Sequence, residues 1–497
     1  MIASRHIEVF VMIFASIAAI YVGSQIVALP LPLLAITTSL VLLALWAFLA
    51  GNAWWVPILA AAMTSGVFRV GVKVTPIMAG LAIALIGLAP LIFVRGEKVL
   101  QHQRRRLPFI FYATGIFVIL RLSLDIIHAS GERSNLIRVL IQASWPFVFC
   151  FFFHHFGSLS VARTATWLAF FFLIFRCLMA LLGDFTGVPI YVPGIDFVFS
   201  LNSHDSLISM RTVAFSLLLV TLVLFHSVRG LIPKILLGLL VPASAVMVVM
   251  GQSRFNTAMM MTLPIVFFAW TRRFFLLFLS FSVCLGIFSF VNVFPQSIEK
   301  LPPEAERALS GLIVKKKVMV QDTAGSNWWH NSMHQEGFDR WTESAKTVLF
   351  GYGIRSTPDL YQQVSFNMDP QLYVYQAANL GAYETSLWTM LGLFGVVGCG
   401  LYTCLFIYFW RQTLPYLIRR PQGTFWEALL FWGCYISLNF YLVSYFTGDF
   451  PSFELVMIII AADAIQDGKF NTSPQLNRIP SETKKPRFGP VHAYPTA

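Results

Sequence analysis

The stretch FFLLFLSFSVCLGIFSFVNVF, residues 274–294, holds 21 residues without one charged side chain. A helix of that length spans about 30 Å, the hydrocarbon thickness of a bilayer. Arg272-Arg273 precede it. After it comes the longest polar excursion of the chain, roughly 295–379, whose middle reads GSNWWHNSMHQEGFDRWTESAKTVLFGYGIRSTPD over residues 325–359. A segment that polar cannot lie in hydrocarbon. It belongs at one face of a membrane, held there by the helices on either side.

Working outward, the pattern repeats. Hydrophobic residues make up 57% of the chain and charged residues 12%, against about 25% charged in soluble domains. Mean hydropathy is +0.71. Apolar runs of about 20 residues recur, and none alternates as a membrane β-strand would. The expected fold is therefore all-α, a polytopic transmembrane bundle. The run after Arg5 lacks a small-residue cleavage site and reads as an anchor helix. The net charge of +12 is the excess of Lys and Arg expected in cytoplasmic loops, so no nucleic-acid partner is called for. The six cysteines all lie in apolar runs with no CxxC, which reads as buried free thiols.

Spans are placed on apolar runs and oriented by basic loops. They fall near 7–28, 31–50, 52–68, 74–94, 108–128, 136–156, 162–183, 211–226, 231–250, 257–270, 274–294, 380–410, 424–446 and 450–465. The basic loops at 95–106, 272–273 and 411–420 are cytoplasmic by the positive-inside rule. That gives about fourteen spans with both termini inside. The organisation is then 1–294 for helices one to eleven, 295–379 for a large periplasmic loop with amphipathic helices, 380–465 for helices twelve to fourteen, and 466–497 for a disordered cytoplasmic tail. A second polar loop, 183–205, lies on the same outer side. Span twelve is expected to bend at Gly392, Gly395 and Gly398.

Candidate functional residues gather at the outer face. Arg211 and Arg254 stand at a helix start and in a tight turn. Either they snorkel to headgroups, or their guanidinium forks grip phosphate oxygens. In span five Arg121 and Asp125 are spaced i,i+4 and read as a mutual ion pair. Arg176 in span seven has no local partner in sequence. If 332–348 is one helix, Glu336, Arg340, Glu343 and Ser344 share a face, with Arg340 either aimed at a cavity or held in an exposed i,i+4 pair. Trp328-Trp329 suit either sugar stacking or interface anchoring. His330 and His334 are spaced i,i+4 but lack the Glu of a zinc helix, so no metal is expected. No cofactor motif occurs; a Walker A loop is absent. Glu384 opens span twelve. A carboxylate there loses hydration and keeps its proton more readily, as suits a general base; the alternative is a first-turn Glu favoured by the helix dipole.

Taken in order, three places resemble the O-antigen ligase/Wzy-type polymerase superfamily, membrane glycosyltransferases with a GT-C-like helical fold. Ser253-Arg254 is similar to its Ser-Arg turn before a short span. Arg340-Trp341 through Ala345, then Gly351-Tyr352-Gly353, is similar to its late-loop signature. Leu391-Gly392-Leu393-Phe394-Gly395 is similar to the Gly-x-x-Gly of its next span. The likeness covers about 206–410. It departs where family ligases carry a His-Asn pair, since Gly381-Ala382 stand there; this favours a polymerase-like member and leaves the base open. The resemblance implies a bacterial inner-membrane enzyme that transfers sugar on the periplasmic side. Glycans on undecaprenyl pyrophosphate would be donor and acceptor, with membrane lipids and a chain-length regulator protein as partners and no cofactor. Arg254, Arg340 and Arg211 are then expected at the pyrophosphate, with Glu384 first and His334 second at the acceptor hydroxyl. Transfer to another acceptor, as in a ligase, is the nearest alternative. A flippase of lipid-linked sugars is the alternative of another class.

Overall fold

A computed structural model describes residues 55–64, 107–129, 134–186, 190–191, 198–199, 204–251, 254–298, 300–301, 303–310, 312–313, 321–355, 370–379, 381, 383, 386–419, 421, 423–442 and 452–470. The first, second and fourth expected spans, part of the third and nearly all of the C-terminal tail lie outside them. In chain order the helices are α1 (Trp55–Met63), α2 (Phe109–His128), α3 (Ser134–Phe156), α4 (Ala162–Thr186), α5 (His204–Ser227), α6 (Leu231–Met250), α7 (Arg254–Trp270), α8 (Phe274–Val293), α9 (Pro295–Ile298), α10 (Pro303–Ser310), α11 (Gln321–Thr342), α12 (Ala345–Phe350), α13 (Pro370–Asn379), α14 (Ser386–Leu417), α15 (Phe425–Leu442) and α16 (Ser452–Gln466). The one departure from all-helix among the described residues is a short antiparallel pairing, Ile190 with Phe199 and Tyr191 with Val198, inside the second polar loop.

This is a helical membrane protein. Among the described residues five stretches are long and apolar enough to cross a bilayer: Phe109–His128, Leu159–Leu178, Leu231–Met250, Phe274–Val293 and Leu387–Leu417. Shorter apolar stretches fill out the bundle, at Val139–His155, Val213–Ser227 and Asn256–Trp270. The bundle has a centre and a rim. Residues Leu455 to Ala464 of α16 are buried without interruption, because α16 is packed by α15, α3, α14 and α1. By contrast α8 buries little besides Val291 and leans on α7. Its Phe274, Phe275, Phe278 and Phe281 are exposed, which lipid tolerates and water would not.

Two expectations about helix boundaries need correction. Residues 332–348 are not one helix. α11 stops at Thr342, and Ser344 begins α12 as its cap. The reason is local: the Ser344 side chain accepts from the Thr347 N–H (3.2 Å), and Thr347 Oγ1 accepts from the Ser344 N–H (2.9 Å). That reciprocal cap satisfies donors that a continuing helix would have used otherwise. Glu343 and Ser344 therefore leave the face that Glu336 and Arg340 share. Second, α5 starts at His204, so Arg211 sits about two turns into a helix rather than at its start. Arg254 is the first residue of α7. Of the cysteines, Cys404 is exposed on α14, whereas Cys150, Cys177 and Cys434 are buried, and all six are free.

The expected bend of span twelve falls at Gly395, whose φ of 63° and ψ of −167° interrupt α14. Only glycine holds that conformation at low cost. A side chain there would also run into the backbone of Leu349 and Gly351.

Candidate functional site

The two glycine motifs, one at the end of the polar loop and one in α14, meet in space through one backbone bond. The Gly353 N–H donates to the Gly392 carbonyl at 2.9 Å. The Phe350–Ile354 turn is thereby laid against the bent start of α14. Its other side is held by α2. Arg121 Nε donates to the Phe350 carbonyl (2.9 Å), and Arg121 Nη2 donates to that of Gly351 (3.0 Å). Arg121 Nη1 donates to Asp125, as the spacing predicts. Asp125 in turn accepts the Ile354 N–H at 3.0 Å. Gly353 has a φ of +83°, and a side chain on it would strike Asp125 and Arg121. A membrane helix thus closes a ring of charge-assisted bonds around a turn of the polar loop.

Behind this turn lies Arg340, 5% exposed. Its Nε donates to Glu336 (2.6 Å), Nη1 to the side-chain carbonyl of Asn379 (2.7 Å) and Nη2 to the backbone carbonyl of Tyr375 (3.2 Å). The guanidinium also lies over the Tyr352 and Tyr375 rings, at 5.0 and 4.8 Å. Both alternatives left open by the sequence are therefore half met: Arg340 is paired at i,i+4, and it is buried. In this arrangement it fastens α11 to α13. Arg355 continues the chain of contacts, its backbone N–H donating to the Asn379 carbonyl (2.9 Å) and its guanidinium resting 3.9 Å over the Tyr352 ring. Burial lifts the Tyr352 phenol above its usual range, against the pull of Arg355 and Arg340. Tyr383 is fully buried, wedged against Gly337 and Gly392. Burial pushes its phenol up to about 12, with the neighbouring Arg340 opposing.

Beside this hub is a cavity of about 830 Å³ between the end of α2 and the Glu343–Arg355 segment. Its charged lining is Arg121, Asp125, Glu343, Lys346 and Arg355. Its other wall is apolar and includes Leu120 and Leu124, side chains 58% and 51% exposed on the outside of α2. One mouth therefore joins the polar loop to the exposed apolar face of α2.

The site residues expected from sequence are only partly gathered. Arg340 is in the hub but does not line the cavity. His334 sits on α11, half-buried, on the same helix as Arg340. Arg211 and Arg254 lie on α5 and α7, with their side chains outside the described residues, and Glu384 lies outside them altogether. Among the described residues no cluster of His, Cys, Asp and Glu would hold a metal. Of the charged residues that line the cavity, sequence reading takes Arg121 and Asp125 only as an ion pair and does not single out Arg355. The i,i+4 pair is visible in sequence, but its grip on a turn some 230 residues away is not.

The chain matches no protein-family model, no curated protein and no solved structure.

Proposed function

We propose that this membrane protein is a glycosyltransferase that joins lipid-linked oligosaccharide repeat units, a polymerase of the O-antigen or exopolysaccharide kind. One observation carries the reading. The Arg-Trp…Gly-x-Gly segment and the Gly-x-x-Gly segment, which carry the sequence resemblance, pack as a single unit through Gly353 and Gly392, with the arginine of the first segment buried among tyrosines behind them. The reaction releases a lipid pyrophosphate, whose charge must be met as the glycosidic bond breaks. Arg254 and Arg211 are assigned to that charge, and Arg340 to holding the site's floor and adding its field. Glu384, and after it His334, are assigned to the acceptor hydroxyl. The orientation is that of a bacterial inner-membrane protein with both termini in the cytoplasm and the site facing the periplasm.

The test is a deletion strain carrying Arg340→Ala or Arg254→Ala. Long-chain glycan should disappear in both while the protein stays in the membrane and single repeat units collect outside. Wild-type chain lengths in both variants would defeat the reading. Repeat units trapped inside the cell would point to a flippase instead.

A further inference from the structure

We propose that the cavity between α2 and the Glu343–Arg355 segment binds the phosphate-bearing headgroup of a membrane lipid, with Arg355 and Lys346 as the groups that grip it. The reaction proposed above supplies only the identity of the lipid; the class of group bound is argued from the cavity alone.

The charged groups of the cavity divide into two sets. Arg121 is fully engaged, each of its nitrogens donating to Asp125 or to a carbonyl of the turn. Asp125 is likewise held by Arg121 and the Ile354 N–H. That pair cancels its own charge and builds the wall. Glu343, Lys346 and Arg355 make up the second set: they line the cavity and are exposed. Among the described residues their side chains make no hydrogen bond or ion pair with protein. Among the described residues, two cations against one carboxylate leave the mouth net positive. Arg355 is also the better placed of the two cations. Its stacking on Tyr352 at 3.9 Å steadies the guanidinium plane, and no described residue takes its N–H edges, the arrangement that suits a bidentate grip on phosphate oxygens.

The apolar wall decides between a free and a lipid-borne anion. Leu120 and Leu124 belong to a helix long and apolar enough to span a bilayer. Both are outward-facing there, and both line the cavity. A molecule with its anion at Arg355 and its chain along Leu120 and Leu124 would keep the chain in lipid and the phosphate at the interface. A water-soluble anion would gain nothing from that wall.

Binding to the full chain in dodecyl maltoside tests this, with four probes: a C55 polyprenyl diphosphate, dioleoylphosphatidylglycerol, inorganic diphosphate and uncharged dioleoylglycerol. The polyprenyl diphosphate should bind far more tightly than inorganic diphosphate or dioleoylglycerol. Arg355→Gln and Lys346→Gln should each weaken it about tenfold, the size of one lost charge-assisted bond. Glu343→Gln should tighten it, and Arg411→Gln, at the far end of α14, should leave it unchanged. Phosphatidylglycerol binding as tightly as the polyprenyl lipid, with the same dependence on both cations, would support a general phospholipid site; much weaker binding would support a carrier site. Equal affinity in wild type and both cation variants would overturn the proposal, as would inorganic diphosphate binding as well as the lipid. Lys346 is exposed on α12, so its variant remains informative should Arg355→Gln fail to fold. Headgroup binding without glycan transfer in vesicles would sink the polymerase reading and leave this site standing. Transfer with binding unchanged in both variants would do the reverse.

Discussion

Two acid–base pairs stabilise this bundle, near opposite ends of α2, and they behave as different kinds of object. Tyr112, near the start of α2, meets His155 at the end of α3 at 3.3 Å. Next to His155, the His154 ring pairs with Asp463 of α16 at 2.7 Å, with both side chains at most 2% exposed. Roughly 15 Å further along α2, Arg121 pairs with Asp125, with side chains 16% and 15% exposed. The first pair is sealed in the core and joins helix to helix. The second faces a cavity and holds backbone from the polar loop. The difference teaches that a charge inside an apolar bundle does not by itself mark a site. What the charge holds, and whether anything can reach it, does.

The contrast can be broken most severely at Arg121. Arg121→Leu leaves the half-buried Asp125 with one backbone donor and removes three charge-assisted bonds, a loss of about 3 kcal/mol. It should lower the melting temperature in detergent and abolish headgroup binding together, because the turn that carries Arg355 is released. Asp463→Leu removes the partner of His154 and should cost about 2 kcal/mol. It should lower the melting temperature yet leave headgroup affinity untouched. If both variants lost binding equally, the two pairs would not be different in kind.

A pH titration sharpens the same boundary. The Tyr383 phenol is raised in the fold from 10.0 to about 12. Between those values the unfolded chain holds fewer protons than the folded one, so stability falls as pH rises. The loss is roughly 1.4 kcal/mol per pH unit across that window. Tyr383→Phe should flatten this part of the stability profile, measured by melting in detergent from about pH 9 to 12. An unchanged slope would mean the phenol is not shielded behind the hub. The smallest expected effect is at Ser344→Ala, which removes the cap of α12 and costs about 1 kcal/mol. It should loosen the segment bearing Lys346 and weaken headgroup binding slightly, with the rest of the bundle unaffected.

How much of this is legible in the sequence differs by level. The helices α2, α3, α4, α6 and α8 lie within a few residues of the apolar runs that announce them, since hydropathy over about 20 residues is a direct measure of transfer into lipid. The Arg121–Asp125 pair follows from helical spacing, and the bend at Gly395 from clustered glycines. The break after Thr342 is not legible, because a Ser344–Thr347 cap competes with helix continuation on a margin of about 1 kcal/mol. The cavity is hidden for a different reason: its walls come from residues 117–129 and 343–355, and no local pattern reports a pairing of that range.

By itself, then, the sequence determined that the chain is helical, that it belongs in a membrane, and that its polar chemistry collects in the segment after residue 294. Hydration energies of side chains and backbone dictate all three, and they are additive along the chain. Only the tertiary structure decided which apolar helix is central and which is peripheral. α16 and α8 are both apolar runs, but one is enclosed by protein and the other is exposed along most of its length, and protein interior and lipid are surroundings of nearly equal polarity. It also decided which charges line a cavity and which are sealed, because that depends on helices far apart in the chain closing around the same space.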